Sequence, residues 1–304
     1  MVCSAFSEDV LIGETADDMF AMISNRRPRC DLSFSPRGGK LVYAHSRMTD
    51  VETRWLGADS ILFATAHRPW PLPSAPWVMT QMWKDLLFLH YPIDPELLRP
   101  LVPEVLTLDT YQYQAWVSVV PFVITRLRPP GVPAVPWLSS FPELNVRTYV
   151  TYNGKPGVYF FSLDAGNLSA VWGARVFYRL PYWHADMKIG GKGSLLIDYR
   201  SKRIHGPRPA EFIASYGPTG PIRIAKPGSL DSFLTDRYCL YAWNRSKLYR
   251  CEIHHLPWPL QEAKALVNTN SMASVAGIPI EEDEALCQFS RKLKVLVWAP
   301  ERLR

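Results

Sequence analysis

Asn153-Gly154, set between residues 146–152 and 158–163, is the feature that most limits what this chain can become. Both central residues of a type I′ turn need positive φ, which Asn tolerates and Gly adopts freely. The dipeptide therefore folds its β-branched and aromatic flanks into an antiparallel hairpin. Similar β-type text recurs at 115–122, 171–180, 193–199, 237–243, 247–254 and 292–298. Many short strands with turn signals predict a mainly β, α+β chain that forms a barrel or a sandwich. One helix start is explicit. Asp94-Pro95-Glu96 offers an N-cap, a proline at the first helical position and an acid in the first turn, so a short helix is predicted to follow and end near Pro103.

Composition changes near residue 67. Residues 1–66 hold two of the 27 prolines and one of the 11 tryptophans, whereas the text from His67 opens with RPWPLPSAPW. The expected organisation is an N-terminal extension, 1–66, partly irregular with one helix at 16–23, followed by a β domain over 67–304. Six prolines between 121 and 142 predict a stiff loop there. With 47% apolar and 12% aromatic residues the chain can fill an enclosed core. No run approaches the roughly 18 apolar residues of a membrane span, and no signal sequence opens the chain. Five scattered cysteines fit a reducing compartment. A cytoplasmic protein with no membrane and no nucleic-acid partner is expected, since the net charge of +6 is spread without a recognition motif. The densest basic stretch, Arg200, Lys202, Arg203 and Arg208, reads as a solvated loop.

Residues two apart on a strand share a face, so Glu143, Asn145, Arg147 and Tyr149 line up together while Leu144, Val146, Thr148 and Val150 face the other way. In a closed barrel the polar set is expected to point into the lumen. Arg175 and Arg179, flanking Phe177 on the next candidate strand, are expected to do the same. A carboxylate among guanidinium groups in a poorly hydrated space suits an anionic or enolic ligand. His184 is a candidate for proton transfer, because histidine is the side chain suited to acid and base work near neutrality. Cys251-x2-His254-His255 has ligand-like spacing, but neighbouring histidines on a strand point to opposite faces, so no metal is expected. Gly190-Gly191-Lys192-Gly193 precedes a strand and reads as a turn. No cofactor is expected, because no nucleotide-binding loop or nucleophile elbow occurs in the right context.

Four blocks, LRPLVPEVLTLD, VTYNGKPGVY, GAR…P and LPWPLQ…VLVWAP, resemble in order the acetoacetate decarboxylase family from about residue 77 to residue 300. The resemblance implies a closed antiparallel β-barrel with a few short flanking helices. Fuller text, HRPWPLP…WKDLLF…FPELNVRTYVTYNGKPGVYFFSLDA…ARVFYRLPYWHADM, is similar to the YqjF-like family of uncharacterised bacterial proteins. By this resemblance Glu143 stands for a pocket glutamate and Arg175 for a strand arginine. Trp116 replaces a second pocket glutamate and Lys84 a substrate-binding arginine. Tyr182-Trp183 occupies the place of the lysine pair that supplies the Schiff base, and neither a phenol nor an indole forms an iminium. Lys84 is then the only amine brought near the pocket.

The expected function is binding of a small organic acid or keto compound in the lumen. Glu143, Asn145, Arg147 and Arg175 would anchor it, and Trp116, Tyr182 and Trp183 would form walls. As an enzyme it would be lyase-like, with Glu143 as acid or base assisted by Tyr182 or His184. The alternatives are a non-catalytic binding module, and a buried ionic network that only fixes strand register. A homo-oligomer is compatible with either.

Overall fold

The computed structural model describes residues 61–303, apart from 136, 192–195, 205, 207 and 282–283. The helix expected at 16–23 and most of the N-terminal extension lie outside the described residues. The strands are β1 (Met79–Ile93), β2 (Thr107–Leu108), β3 (Ala115–Arg128), β4 (Phe141–Tyr152), β5 (Lys155–Ala165), β6 (Tyr182–Gly190), β7 (Ile197–Arg203), β8 (Glu211–Pro218), β9 (Cys239–Asn244), β10 (Lys247–His254), β11 (Gln261–Asn270), β12 (Leu286–Val297) and β13 (Glu301–Arg302). Three short helices accompany them: α1 (Pro95–Leu98), α2 (Leu168–Gly173) and α3 (Leu230–Thr235). None of the described helices is long and apolar enough to cross a membrane.

Hydrogen-bonded neighbours trace two closed circuits that share the run β5–β4–β3–β1–β12. They separate where one edge of a strand serves two partners. Val158 and Tyr159 of β5 pair with β9, while Leu163, Asp164 and Ala165 pair with β6. At the other end, β12 gives Gln288 and Phe289 to β11 and Leu296 and Val297 to β10. One circuit closes through β9 and β10, the other through β6, β7, β8 and β11. The fold is therefore the expected β-barrel class, although the β5–β6 and β5–β9 pairings are parallel.

Alternation along the shared strands gives each circuit its own filling. Leu87, Leu89, Val117, Val119, Leu144 and Val146 pack with Tyr199, Phe212, Tyr216 and Phe289 in one core. The intervening Leu86, Phe88, Val120 and Phe122 join Ile253, Trp258 and Val295 in another. The β4–β5 hairpin turns at Asn153 (φ 48°) and Gly154 (φ 75°), with Tyr152 opposite Lys155, as the sequence predicts. The Asp94 side chain caps α1 by accepting from the Glu96 amide at 2.8 Å. The helix stops at Leu98 and a 3-10 turn over Arg99–Leu101 completes the segment.

Three expectations are corrected. Residues 171–180 are not a strand: Asn167 caps α2 through the Ala170 amide, and the chain continues as a π-turn over Ala174–Tyr178. Val171, Tyr178 and Leu180 pack inward on the strand cores, while Leu168, Trp172 and Phe177 stand exposed, a helical and not an alternating distribution. Residues 121–142 are not one loop, because β3 runs to Arg128 and β4 starts at Phe141. Pro121 is tolerated inside β3 because the β1–β3 register breaks between Lys84 and Leu89, where Asp85 takes φ 53°, so that part of the ladder needs no amide. Nor is the basic stretch a solvated loop: Arg200 and Lys202 lie on β7, and Arg203 is buried there in a two-pronged ion pair with Asp164 (2.7 and 3.0 Å). Of the predicted strand 193–199, residues 197–199 belong to β7, and 193–195 lie outside the described residues, as does part of the Gly190 turn.

Candidate functional site

A cavity of about 340 Å³ lies among residues of the circuit closed by β9 and β10. Its walls are apolar: Trp83 from β1, Phe122 and Ile124 from β3, Phe160 and Leu163 from β5, Leu240 from β9, Ile253 from β10, and Trp258. Residues of α2 and the π-turn, among them Ala170, Gly173, Phe177 and Tyr178, contribute another side. Into this enclosure β4 sends Glu143, Asn145 and Arg147, the face that alternation assigns to the lumen.

Glu143 is held on both flanks of its strand, opposite Phe122 on β3 and Ala165 on β5, and its carbonyl accepts from the Tyr199 hydroxyl at 2.7 Å. The Tyr182 hydroxyl, at the start of β6, donates to Glu143 Oε2 at 2.7 Å. Burial pushes the Glu143 carboxyl up to about 8, against the lowering effect of that hydrogen bond. Burial, and after it the proximity of Glu143, raise the Tyr182 phenol well above its usual range. At neutral pH the pair is thus an uncharged acid and an uncharged phenol in a largely apolar chamber.

Arg147 supplies the opposite character. Its guanidinium lies 5.4 Å from the Phe88 ring and 5.8 Å from the Tyr149 ring, and Nη2 donates weakly to the Leu234 carbonyl at 3.4 Å. Its Nε is buried without an acceptor, and Asn145 Oδ1 beside it is buried without a donor. The nearby His90 is buried against Ser118 and Tyr149; burial first, and the Arg147 charge second, push it down to about 3, so it is neutral. Arg237, also lining the cavity, is balanced by Asp109 at 2.5 Å and stacks on Tyr149 and Phe233. His255 is neutral as well, pushed by burial to about 3. Among the described residues Arg147 is left as a buried cation with no carboxylate partner, an arrangement that favours an incoming anion.

Of the residues singled out by sequence, Glu143, Asn145, Arg147 and Tyr182 meet at the cavity. The other proposed site residues, Lys84, Trp116, Arg175, Trp183 and His184, do not line it. Arg175 is exposed on the π-turn, its guanidinium 4.6 Å over the Trp183 ring, because the segment is helical and not a lumen-facing strand. Trp183 lies between Arg175 and Arg203, whose guanidinium is 5.7 Å from the ring. His184 sits on β6, where its carbonyl accepts from the Ile204 amide. Trp116 packs with Tyr149, Leu163 and Leu180. Lys84 is exposed on β1 opposite Val123 and Lys292. Thr235, Arg237 and Trp258 line the cavity without having been anticipated, and Cys251 and His255, weighed in the sequence only as metal ligands, line it too. The paired acid Asp109 lies 128 residues from Arg237, so no local pattern joins them. Among the described residues no group of three His, Cys, Asp or Glu side chains is placed to hold a metal.

This double circuit is the acetoacetate decarboxylase-like fold. An acetoacetate decarboxylase from Legionella pneumophila subsp. pneumophila str. Philadelphia 1 superposes on 83% of this chain and 97% of its own, with a TM-score of 0.53 and 14% identity. The enduracididine biosynthesis enzyme MppR, complexed with pyruvate, covers 78% of this chain and 93% of its own, with a TM-score of 0.52 and 12% identity. Sequence narrows the class. Residues 80–294 match the DUF2071 family of uncharacterized conserved proteins, and the chain belongs to that family. Uncharacterized protein YqjF of Bacillus subtilis (strain 168) is 49% identical over 227 residues, which are 75% of this chain and 93% of that protein.

Proposed function

We propose that the cavity takes up a small organic acid or keto compound, its anionic group at Arg147 and its carbonyl oxygen against the protonated Glu143–Tyr182 pair. The carrying observation is the unbalanced buried guanidinium of Arg147 in a chamber of about 340 Å³. Support comes also from the fold neighbour MppR, which is complexed with pyruvate. Iminium chemistry is disfavoured: the described lining residues include no lysine, and Tyr182-Trp183 stands where the family resemblance puts the lysine pair. With its carboxyl near 8, Glu143 is suited to pass a proton to and from a carbon next to a carbonyl, which is lyase-like chemistry. The second reading, a binding module without turnover, rests on the same cavity and the same missing amine.

The experiment is a titration with pyruvate and acetoacetate, followed by solvent-deuterium exchange into the pyruvate methyl group and by borohydride trapping. Pyruvate is expected to bind, and Arg147→Met to weaken it by roughly tenfold to a hundredfold. Borohydride should leave no adduct. Exchange that is lost in Glu143→Gln supports the enzyme, and binding without exchange supports the module. Equal affinity of the wild type and Arg147→Met would overturn the assignment.

A further inference from the structure

Phe160 and Leu180 have cavity on one side and a second recess, also about 340 Å³, on the other. Arg175, Arg179, Tyr159, Pro181, Trp243 and Asn244 line this outer recess. Two of those groups carry positive charge, and among the described residues neither has a carboxylate partner. Arg175 nevertheless has a neighbour that orients it, its guanidinium carbon lying 4.6 Å from the centre of the Trp183 ring. A cation–π contact of this kind occupies no hydrogen-bond acceptor and leaves the guanidinium N–H donors for a ligand. Arg179 closes the π-turn with φ 58°, a left-handed conformation unusual for a residue with a side chain, so the turn itself delivers the second guanidinium to the recess. The rings of Tyr159 and Trp243 line the same recess, the latter 40% exposed and so open to contact.

We propose that this recess is a binding site for a small aromatic anion, a flat ring bearing a phosphate or carboxylate. The head group is held by Arg175 and Arg179 and the ring lies against Tyr159 and Trp243. The site is separate from the cavity, and the proposal does not depend on the function assigned to Glu143 and Arg147. Two guanidinium forks match the oxygens of either head group, and the aromatic surface supplies contact that a bare ion would not use.

The test is calorimetric titration of the full chain with phenyl phosphate and with benzoate, using phenol and inorganic phosphate as controls. Binding of at least one of the two aryl anions is expected, and the tighter of them identifies the head group. Arg175→Gln and Arg179→Gly, the latter suited to the left-handed backbone, should each weaken it by roughly tenfold. Trp243→Leu should weaken the aryl anion while leaving inorganic phosphate unchanged. Glu143→Gln and Arg147→Met should leave intact the component of aryl-anion binding that Arg179→Gly weakens, which separates this site from the cavity. The proposal is overturned if neither anion binds, if phenol binds as tightly, if inorganic phosphate does, or if Arg147→Met removes the binding and Arg179→Gly does not.

Discussion

Glu143 shows how one side chain draws its chemistry from two strands and the walls around them. β4 aims it, β6 brings the Tyr182 hydroxyl to it, and the apolar walls hold its carboxyl near 8. The Tyr182 hydrogen bond is the influence that lowers this value, so Tyr182→Phe should raise it further. A carboxyl-selective infrared or carbon NMR titration should show the midpoint moving upward from about 8, and a downward move would contradict the arrangement. The inward face of β4 was legible because strand alternation is local and β4 pairs on both edges. The Tyr182 contact spans 39 residues, and the family resemblance, which puts Tyr182 at a pocket position, hinted at it where periodicity did not.

At the level of elements, the junction between β5 and β6 positions the Tyr182 end of the site. Asp164 lies opposite Trp183 in that parallel pairing and anchors Arg203 of β7. Both members of the ion pair are buried, so Asp164→Asn leaves a guanidinium without its counter-charge. Loss of about 3 kcal/mol is expected in urea unfolding. A loss within error would mean that the pair does not hold the junction. Most strands were visible in the text, since β-branched and aromatic runs ended at turn signals. The π-turn was not, because residues 171–180 have strand-like composition while α2 is set by Asn167 and by the absence of a pairing edge. That misreading also displaced Arg175 from the lumen to the surface. β1, β6, β8 and β11, with their mixed polar and apolar text, became readable only through their partners in the sheet.

For the whole molecule, buried titratable groups set opposing demands on pH. Glu143 keeps a proton that the unfolded chain releases, so its contribution to stability falls as pH rises from 4.5 to about 8. His90, His254 and His255 stay neutral in the fold, at about 3, 4 and 3, while unfolded histidines take up a proton near 6.5. Their contribution, with that of His67, which burial also lowers, therefore grows as pH rises toward 6.5, against the falling contributions of Glu143, Asp164 and Asp236. Urea midpoints measured across pH should peak near 6.5 and decline toward 8, and Glu143→Gln should flatten the decline. An unchanged decline in that variant would assign it to another group.

The run β5–β4–β3–β1–β12 shared by the two circuits is a party wall, furnished differently in each room. Leu144 and Val146 secure it from the packed side, and Glu143, Asn145 and Arg147 hang on the other. Ligand preference can therefore drift by exchanging the furnishings of one room while the masonry stays put. Substitutions at 143, 145 and 147 can thus change the polarity of one room without disturbing the contacts that keep the wall standing.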